Sequence, residues 1–139
     1  MSDPIPAITE AAATGDIPAI FADIRQILGV DVVNLIWRHL ATIDGALEWA
    51  WPTLRPLYAD GSVTTEAAAL HGELALPRVP PIPRGLFACL GLRRDDLTAI
   101  GAVLAAYDRT NAMALVALSA LRIRLDGSAP LKGECPHTR

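Results

Sequence analysis

The chain has 139 residues, enough for one domain with a buried core. Apolar residues make up 52% of it and charged residues 19%, a composition that excludes wholesale disorder. The formal net charge of -3, with no basic run longer than Arg93-Arg94, argues against a nucleic-acid binder. Because the sequence shows neither a signal-peptide pattern nor an apolar run long enough to cross a bilayer, we expect a cytoplasmic protein without membrane contacts.

The composition favours an all-α fold. Alanine, leucine and isoleucine dominate, and no run of alternating β-branched residues is present. We therefore predict a single helical domain of about six to seven helices over residues 1–125, followed by a loosely ordered tail over 126–139.

Two helices are predicted at the start of the chain. A short one covers about 5–14 and is closed by Gly15. Asp16 then caps a second helix, which Gly29 ends. This second helix carries apolar residues at the spacing of one helical face; they are Ile17, Ile20, Phe21, Ile24, Ile27 and Leu28.

The middle of the chain is predicted to hold three more helices. The first covers about 31–42, and an Asp-Gly turn separates it from the second, over about 45–58. The third opens at Thr64 or Thr65 and runs to about Leu74.

The last part of the sequence combines a breaker with the strongest helical pattern. The proline-rich stretch "LPRVPPIPRG" cannot be helical and favours an extended connector. From Arg94 to Leu125 the pattern is helical, either as one continuous helix or as two helices with a break near 108–111.

Asp23 stands out because of its place on the second helix. At about 100° per residue it lies just past the edge of the apolar stripe, on the side of Ile20 and Ile27. Partial desolvation there would raise its pKa and make it a stronger base. The alternative is an ordinary carboxylate that is solvated or paired on the helix.

Asn111 is the second candidate. In a continuous last helix this amide lies in the middle of an apolar face and must find hydrogen-bond partners. The alternative is that Thr110 or Asn111 caps a new helix after a break. The apolar residues that share its face in a continuous helix are Leu97, Ile100, Leu104, Leu115 and Leu118.

The remaining polar residues give weaker signals. Arg38 either holds a carboxylate ligand or pairs with an acid such as Asp44 or Glu48. His39 and His71 have no Ser, Cys or Asp partner by spacing, so we interpret both as ordinary.

The two cysteines do not indicate a metal or a redox site. Cys89 and Cys135 are far apart and form no CxxC pair, which argues against a thiol enzyme. Cys135-Pro136-His137 offers two ligands, with no second pair to complete a tetrahedral site. We expect no metal.

Three segments resemble the group I 2-haloacid dehalogenases, which act on both D and L substrates. They are "IFADIRQILGVDVVNLIWRHLA", "GALEWAWPTLRPLYADG" and "YDRTNAMALVALSAL", and the similarity covers most of residues 8–122. The resemblance implies an all-helical fold, distantly similar to the alkylhydroperoxidase D-like fold. It also implies hydrolytic removal of halogen from a short 2-haloalkanoic acid, without metal or organic cofactor.

The resemblance also implies roles for particular residues. Asp23, in "FADIR", matches the aspartate that activates water for direct attack on the halogen-bearing carbon. Asn111, in "RTNAMAL", matches an asparagine that binds or orients substrate and water. Phe21, Ala22 and Leu115 are loosely aligned with the family's halide pocket.

Other features of the family leave alternatives open. The substrate carboxylate is held either by main-chain amides or by Arg38. Asp23 could also act as a covalent nucleophile rather than as a base.

Family members fuse two copies of this helical unit and take the aspartate and the asparagine from different halves. A two-fold homodimer would recreate that arrangement, with Asp23 of one chain facing Asn111 of the other. The alternative function is a non-catalytic dimeric scaffold that binds a small carboxylic acid or a protein partner.

Overall fold

The structure, a computed structural model, describes residues 5–127 and contains only helices and loops over that range. This confirms the predicted all-α fold. A single 3-10 turn, Glu10–Ala12, precedes six α-helices, which we number in chain order. They are α1 (Ile17–Leu28), α2 (Leu35–Leu40), α3 (Ala46–Ala59), α4 (Ser62–Glu73), α5 (Arg84–Cys89) and α6 (Arg94–Leu125).

The core lies where α3 meets its neighbours, since α3 packs against α1, α2, α4 and α6. At its centre Trp37 meets Trp51 and Tyr58 edge-on, with ring centroids 5.5 and 6.2 Å apart. Edge-to-face pairs of this kind stabilise a core beyond the area they bury. The Tyr58 hydroxyl donates to the Met113 carbonyl at 3.3 Å, which ties the cluster to α6. Burial raises the pKa of Tyr58, so it stays a neutral donor.

Helix α1 follows its sequence pattern closely. Its apolar stripe is turned inward, with Ile17, Phe21, Ile24 and Leu28 buried. Gly29 ends the helix with φ +63°, a left-handed conformation that favours glycine. Asp16 stands at the N-cap position as predicted, but its side chain forms no capping hydrogen bond.

The predicted helix over 5–14 is wrong, because only Glu10–Ala12 forms a single 3-10 turn. Pro6 lacks an N–H and disfavours helical geometry in the residue before it. Residues 5–9 instead run along α2 as an irregular segment, which we call the N-terminal strap. Ile8 and Arg38 hold the strap: the Ile8 N–H donates to the Arg38 carbonyl, and Arg38 Nε donates to the Ile8 carbonyl, both at 3.1 Å.

The helix predicted over 31–42 is shorter in the structure, because the side chain of Asn34 caps it. Asn34 Oδ1 accepts a hydrogen bond from the Ile36 N–H at 3.1 Å, so the helical residues begin at Leu35. The end of α2 is marked by Thr42, whose hydroxyl donates to the His39 carbonyl at 2.7 Å.

Two other boundaries differ from the prediction. Helix α4 begins at Ser62 rather than at Thr64 or Thr65, because Asp60 Oδ1 accepts from the Ser62 N–H at 2.8 Å. Helix α5 was not predicted from the sequence. The stretch "LPRVPPIPRG", residues 76–85, is free of helix up to Pro83 as predicted, but Arg84 and Gly85 are helical because α5 begins at Arg84.

Helix α6 is continuous from Arg94 to Leu125, so the alternative with a break near 108–111 is wrong. Thr110 lies in its interior and donates to the Ala106 carbonyl four residues earlier, at 2.8 Å. The predicted tail lies outside the described residues from 128 onward.

One part of the fold has no core of its own. From residue 68 to residue 109 no residue is buried. We call residues 74–105, which comprise the connector, α5 and the first half of α6, the exposed arm. Three of its large apolar side chains, Phe87, Leu92 and Leu97, are half-buried. The others are exposed; they are Leu74, Leu76, Val79, Ile82, Leu86, Leu90, Ile100, Val103 and Leu104. None of the helices described over 5–127 combines the length and apolar character needed to cross a bilayer.

Candidate functional site

A cleft of about 550 Å³ opens between the N-terminal strap, α2 and the middle of α6. Small-molecule sites in proteins commonly have this size and combine apolar surface with polar groups. Its apolar lining consists of Ile5, Pro6, Leu35 and Ile36. Its other lining residues are Asn34, His39, Tyr107 and Asn111.

An amide pair joins α2 to α6 at the cleft. Asn34 is buried, and its Nδ2 donates to Asn111 Oδ1 at 2.7 Å and to Thr110 Oγ1 at 3.3 Å. The orientation of Asn34 is fixed, because its Oδ1 accepts from a backbone N–H, which can only donate. The other terminal atom of the Asn34 side chain is therefore the nitrogen of its NH2 group. Because this nitrogen donates, the Asn111 atom that faces it must be the oxygen.

This arrangement leaves the NH2 group of Asn111 without a protein acceptor among residues 5–127. Asn111 is exposed and lines the cleft. The continuous last helix is confirmed, and the capping alternative is wrong. The apolar face that was predicted to surround Asn111 is not the buried face of α6, since Leu104 and Leu115 are exposed. Asn111 can thus offer two N–H donors to a ligand in the cleft.

His39 also lines this cleft, although it was interpreted as an ordinary histidine from its spacing. Its Nδ1 lies 2.6 Å from the carbonyl oxygen of Pro6 in the N-terminal strap. The strap is held in place by Arg38, whose side chain donates to Ile8. Arg38 forms no ion pair with Asp44 or Glu48 in the described structure, so that expected pairing is wrong.

Asp23 lies elsewhere, between α1 and α3. Its Oδ2 accepts from Arg55 Nε and from Trp51 Nε1, both at 2.7 Å, and its Oδ1 accepts from Arg55 Nη2 at 3.0 Å. The hydrogen bond from Arg55 holds the pKa of Asp23 below its ordinary value and outweighs desolvation, which acts the other way. The expected rise in the pKa of Asp23 is therefore wrong. The lowering of this pKa was missed because the sequence alone does not show that Arg55 pairs with Asp23.

Asp23 and Asn111 do not meet within one chain, since Asp23 is not among the residues that line the cleft. Phe21, Ala22 and Leu115 do not line it either. Phe21 is a core residue, whereas Ala22 and Leu115 are exposed. The roles that the resemblance implies for these residues stay predictions.

Sequence reasoning missed Asn34, His39 and Tyr107. One signal was present: an Asn followed by "LIWRHL" is typical of an N-cap, and an N-cap fixes the direction of its own side chain. Tyr107 precedes Asn111 by four residues, so a continuous helix places both on one face.

Within residues 5–127 no group of three or more His, Cys, Asp or Glu residues could hold a metal ion. Cys89 is a free, exposed cysteine, and Cys135 lies outside the described residues. Compared with models of known protein families, with curated proteins and with solved structures, the chain matches none.

Proposed function

We propose that the cleft between α2 and α6 binds a short carboxylic acid through the side-chain amide of Asn111. The hydrogen bond from Asn34 to Asn111 is the observation that carries this proposal. Because that bond occupies the Asn111 oxygen, the group left for a ligand is an NH2 donor. A donor of this kind is matched by an acceptor, and a carboxylate is the strongest acceptor among small organic acids.

The rest of the cleft supports a ligand with a short apolar body. Leu35 and Ile36 offer aliphatic surface beside the amide, and Tyr107 adds a hydroxyl that can donate to a second carboxylate oxygen. A short alkanoic acid, with or without a halogen at C2, combines these features.

We further propose, from the family resemblance, that a 2-haloalkanoic acid is hydrolysed in this site. The oxygen of a water molecule attacks C2 and forms a C–O bond. The C–halogen bond breaks, and its electron pair leaves with the halide. The proton from water passes to the carboxylate of Asp23 and then to solvent, so the products are a 2-hydroxy acid, a halide ion and a proton.

This reaction sets a condition on Asp23, which Arg55 and Trp51 hold outside the cleft of its own chain. A second copy would have to bring its Asp23 to the cleft, and the ion pair with Arg55 would have to open. We therefore propose the reaction for a two-fold homodimer, in which Asp23 of one chain faces Asn111 of the other.

The exposed arm supports a homodimer independently of the reaction. Nine of its large aliphatic side chains are each 43–77% exposed. Large aliphatic side chains that stay exposed are typical of surfaces that a protein partner covers.

Binding and hydrolysis are tested separately. Titration of the full chain with propionate in a calorimeter should show binding that Asn111→Ala removes. Incubation with each enantiomer of 2-chloropropionate should release chloride, and Asp23→Asn should abolish that release. Asp31→Asn is the matched control, because Asp31 is an exposed carboxylate outside the cleft. Propionate affinity that is unchanged in Asn111→Ala would contradict the site, and chloride release that persists in Asp23→Asn would contradict the proposed base.

The route of the oxygen atom distinguishes direct attack from a covalent intermediate. In a single turnover in ¹⁸O-labelled water, direct attack places the label in the hydroxy acid alone. Label in the carboxylate of Asp23 would instead show that this side chain is the nucleophile.

The second candidate is a non-catalytic dimeric scaffold that binds a small carboxylic acid. The ion pair of Asp23 favours it, because both carboxylate oxygens already accept hydrogen bonds that join α1 to α3. For this candidate propionate binds, while neither enantiomer of 2-chloropropionate yields chloride.

A further inference from the structure

His39 supplies the cleft with a nitrogen acceptor. A carbonyl oxygen can only accept, so the 2.6 Å contact with Pro6 places the ring proton on Nδ1. In the neutral imidazole Nε2 then carries the lone pair. Nε2 has no hydrogen-bond partner among the residues that the structure describes.

The position of the Pro6 carbonyl is itself fixed. Two hydrogen bonds between Ile8 and Arg38, one in each direction, hold the strap against α2 two residues further along. Pro6 has no N–H, so its carbonyl is its only backbone hydrogen-bonding group. The strap thus holds one imidazole tautomer in place and forms a wall of the cleft at the same time.

The cleft therefore offers two complementary groups to one ligand. Asn111 presents N–H donors, and His39 presents an acceptor. A carboxylate satisfies Asn111 but has no proton for His39. A ligand that satisfies both needs an acceptor for Asn111 and a hydrogen-bond donor for His39.

We propose that the cleft selects short 2-hydroxy acids, with the carboxylate accepting from Asn111 and the C2 hydroxyl donating to Nε2 of His39. This inference rests on the proposed carboxylate site. It also gives His39 a place in the proposed hydrolysis, since the product carries its new hydroxyl at C2. The product 2-hydroxy acid would then bind more tightly than the 2-halo substrate.

Three ligands that differ only at C2 test the proposal: propionate, 2-chloropropionate and 2-hydroxypropionate. Calorimetric titration of the full chain should give 2-hydroxypropionate about two- to ten-fold tighter binding than propionate, the range expected for one neutral hydrogen bond. In His39→Leu that ratio should fall to about one. In His39→Gln, whose side-chain oxygen can accept, part of the preference should return.

The outcomes separate this inference from the proposed function. Equal binding of the hydroxy acid and propionate by the unchanged chain would overturn the role of His39 and leave the carboxylate site standing. If His39→Leu still binds the hydroxy acid more tightly than propionate, the role of His39 is likewise overturned and the carboxylate site stands. Absence of binding for all three acids would overturn both proposals together. The ratio is measured within each variant, so a general loss of folded protein does not imitate the expected result.

Discussion

Asn34 donates a 2.7 Å hydrogen bond to Asn111, a residue 77 positions later in the chain. The same Asn34 side chain accepts the Ile36 N–H and so sets the start of α2. One buried amide thereby fixes a helix boundary, the contact between α2 and α6 and the orientation of Asn111. Local structure and the candidate site depend on the same three hydrogen bonds.

Replacing Asn34 should destabilise the fold and disturb the cleft. In Asn34→Ala the cap and both bonds to α6 are lost, so we expect the free energy of unfolding to fall by about 1–3 kcal/mol in urea denaturation. Asn34→Asp keeps an oxygen for the Ile36 N–H but cannot donate to Asn111. It should therefore be more stable than Asn34→Ala and still lose propionate binding. A cost within about 0.5 kcal/mol for Asn34→Ala, as for an ordinary surface change, would contradict this account.

The sequence predicted best the elements whose signals are local. In α1 the apolar residues recur at helical spacing and Gly29 follows, so the stripe and the left-handed end both agree with the structure. Helix α6 was predicted in extent, while its continuity stayed open because the sequence alone does not show whether Thr110 caps a helix or bonds back within one.

The candidate site was predicted less well, because its contacts join distant parts of the chain. Asn111 was selected for its place on an apolar face, but its partner Asn34 comes from another helix. Asp23 was placed correctly at the edge of a stripe, while its pairing with Arg55 depends on how α1 and α3 pack. The orientation of His39 depends on its contact with Pro6 in the strap, a segment that was predicted to be helical.

The ion pair between Asp23 and Arg55 should make stability depend on pH. The pKa of Asp23 is lower in the folded state than its ordinary value of 3.8. The stabilisation is therefore fully present above about that value and is lost as the pH falls through the folded pKa. Thermal unfolding should show Asp23→Asn to be less stable than the unchanged chain near neutral pH, with the difference shrinking below pH 3.8.

Because this pair lies partly in solvent, added salt should reduce the same difference. Asp31→Asn is the control, and it should differ little from the unchanged chain at any of these pH values. A gap between Asp23→Asn and the unchanged chain that widens in acid would rule out the ion pair as its source.

Replacement of two glycines by alanine should change the free energy of unfolding in opposite directions. Gly29 has φ +63°, and a Cβ built there would lie 3.6 Å from Arg109 Nη1, so Gly29→Ala should cost about 1 kcal/mol, mainly through backbone strain. Gly101 lies inside α6 with no atom within 4 Å of a built Cβ, so Gly101→Ala should add about 0.5–1 kcal/mol of stability. Chemical denaturation of both variants checks the pair. The same sign for both would contradict the assigned backbone conformations.

A charge on the exposed arm should separate the proposed homodimer. Leu104 is 64% exposed on the first half of α6, where a partner would cover it. Burying an unpaired carboxylate in such an interface is costly, so Leu104→Asp should convert a dimer to a monomer at micromolar concentration, as measured by light scattering. Thr64→Asp is the matched control, because Thr64 is exposed on α4 outside the arm, and it should stay dimeric. Circular dichroism should show equal helix content in both variants. A monomeric unchanged chain would contradict the homodimer, whereas a dimer that persists in Leu104→Asp would place the interface away from the arm.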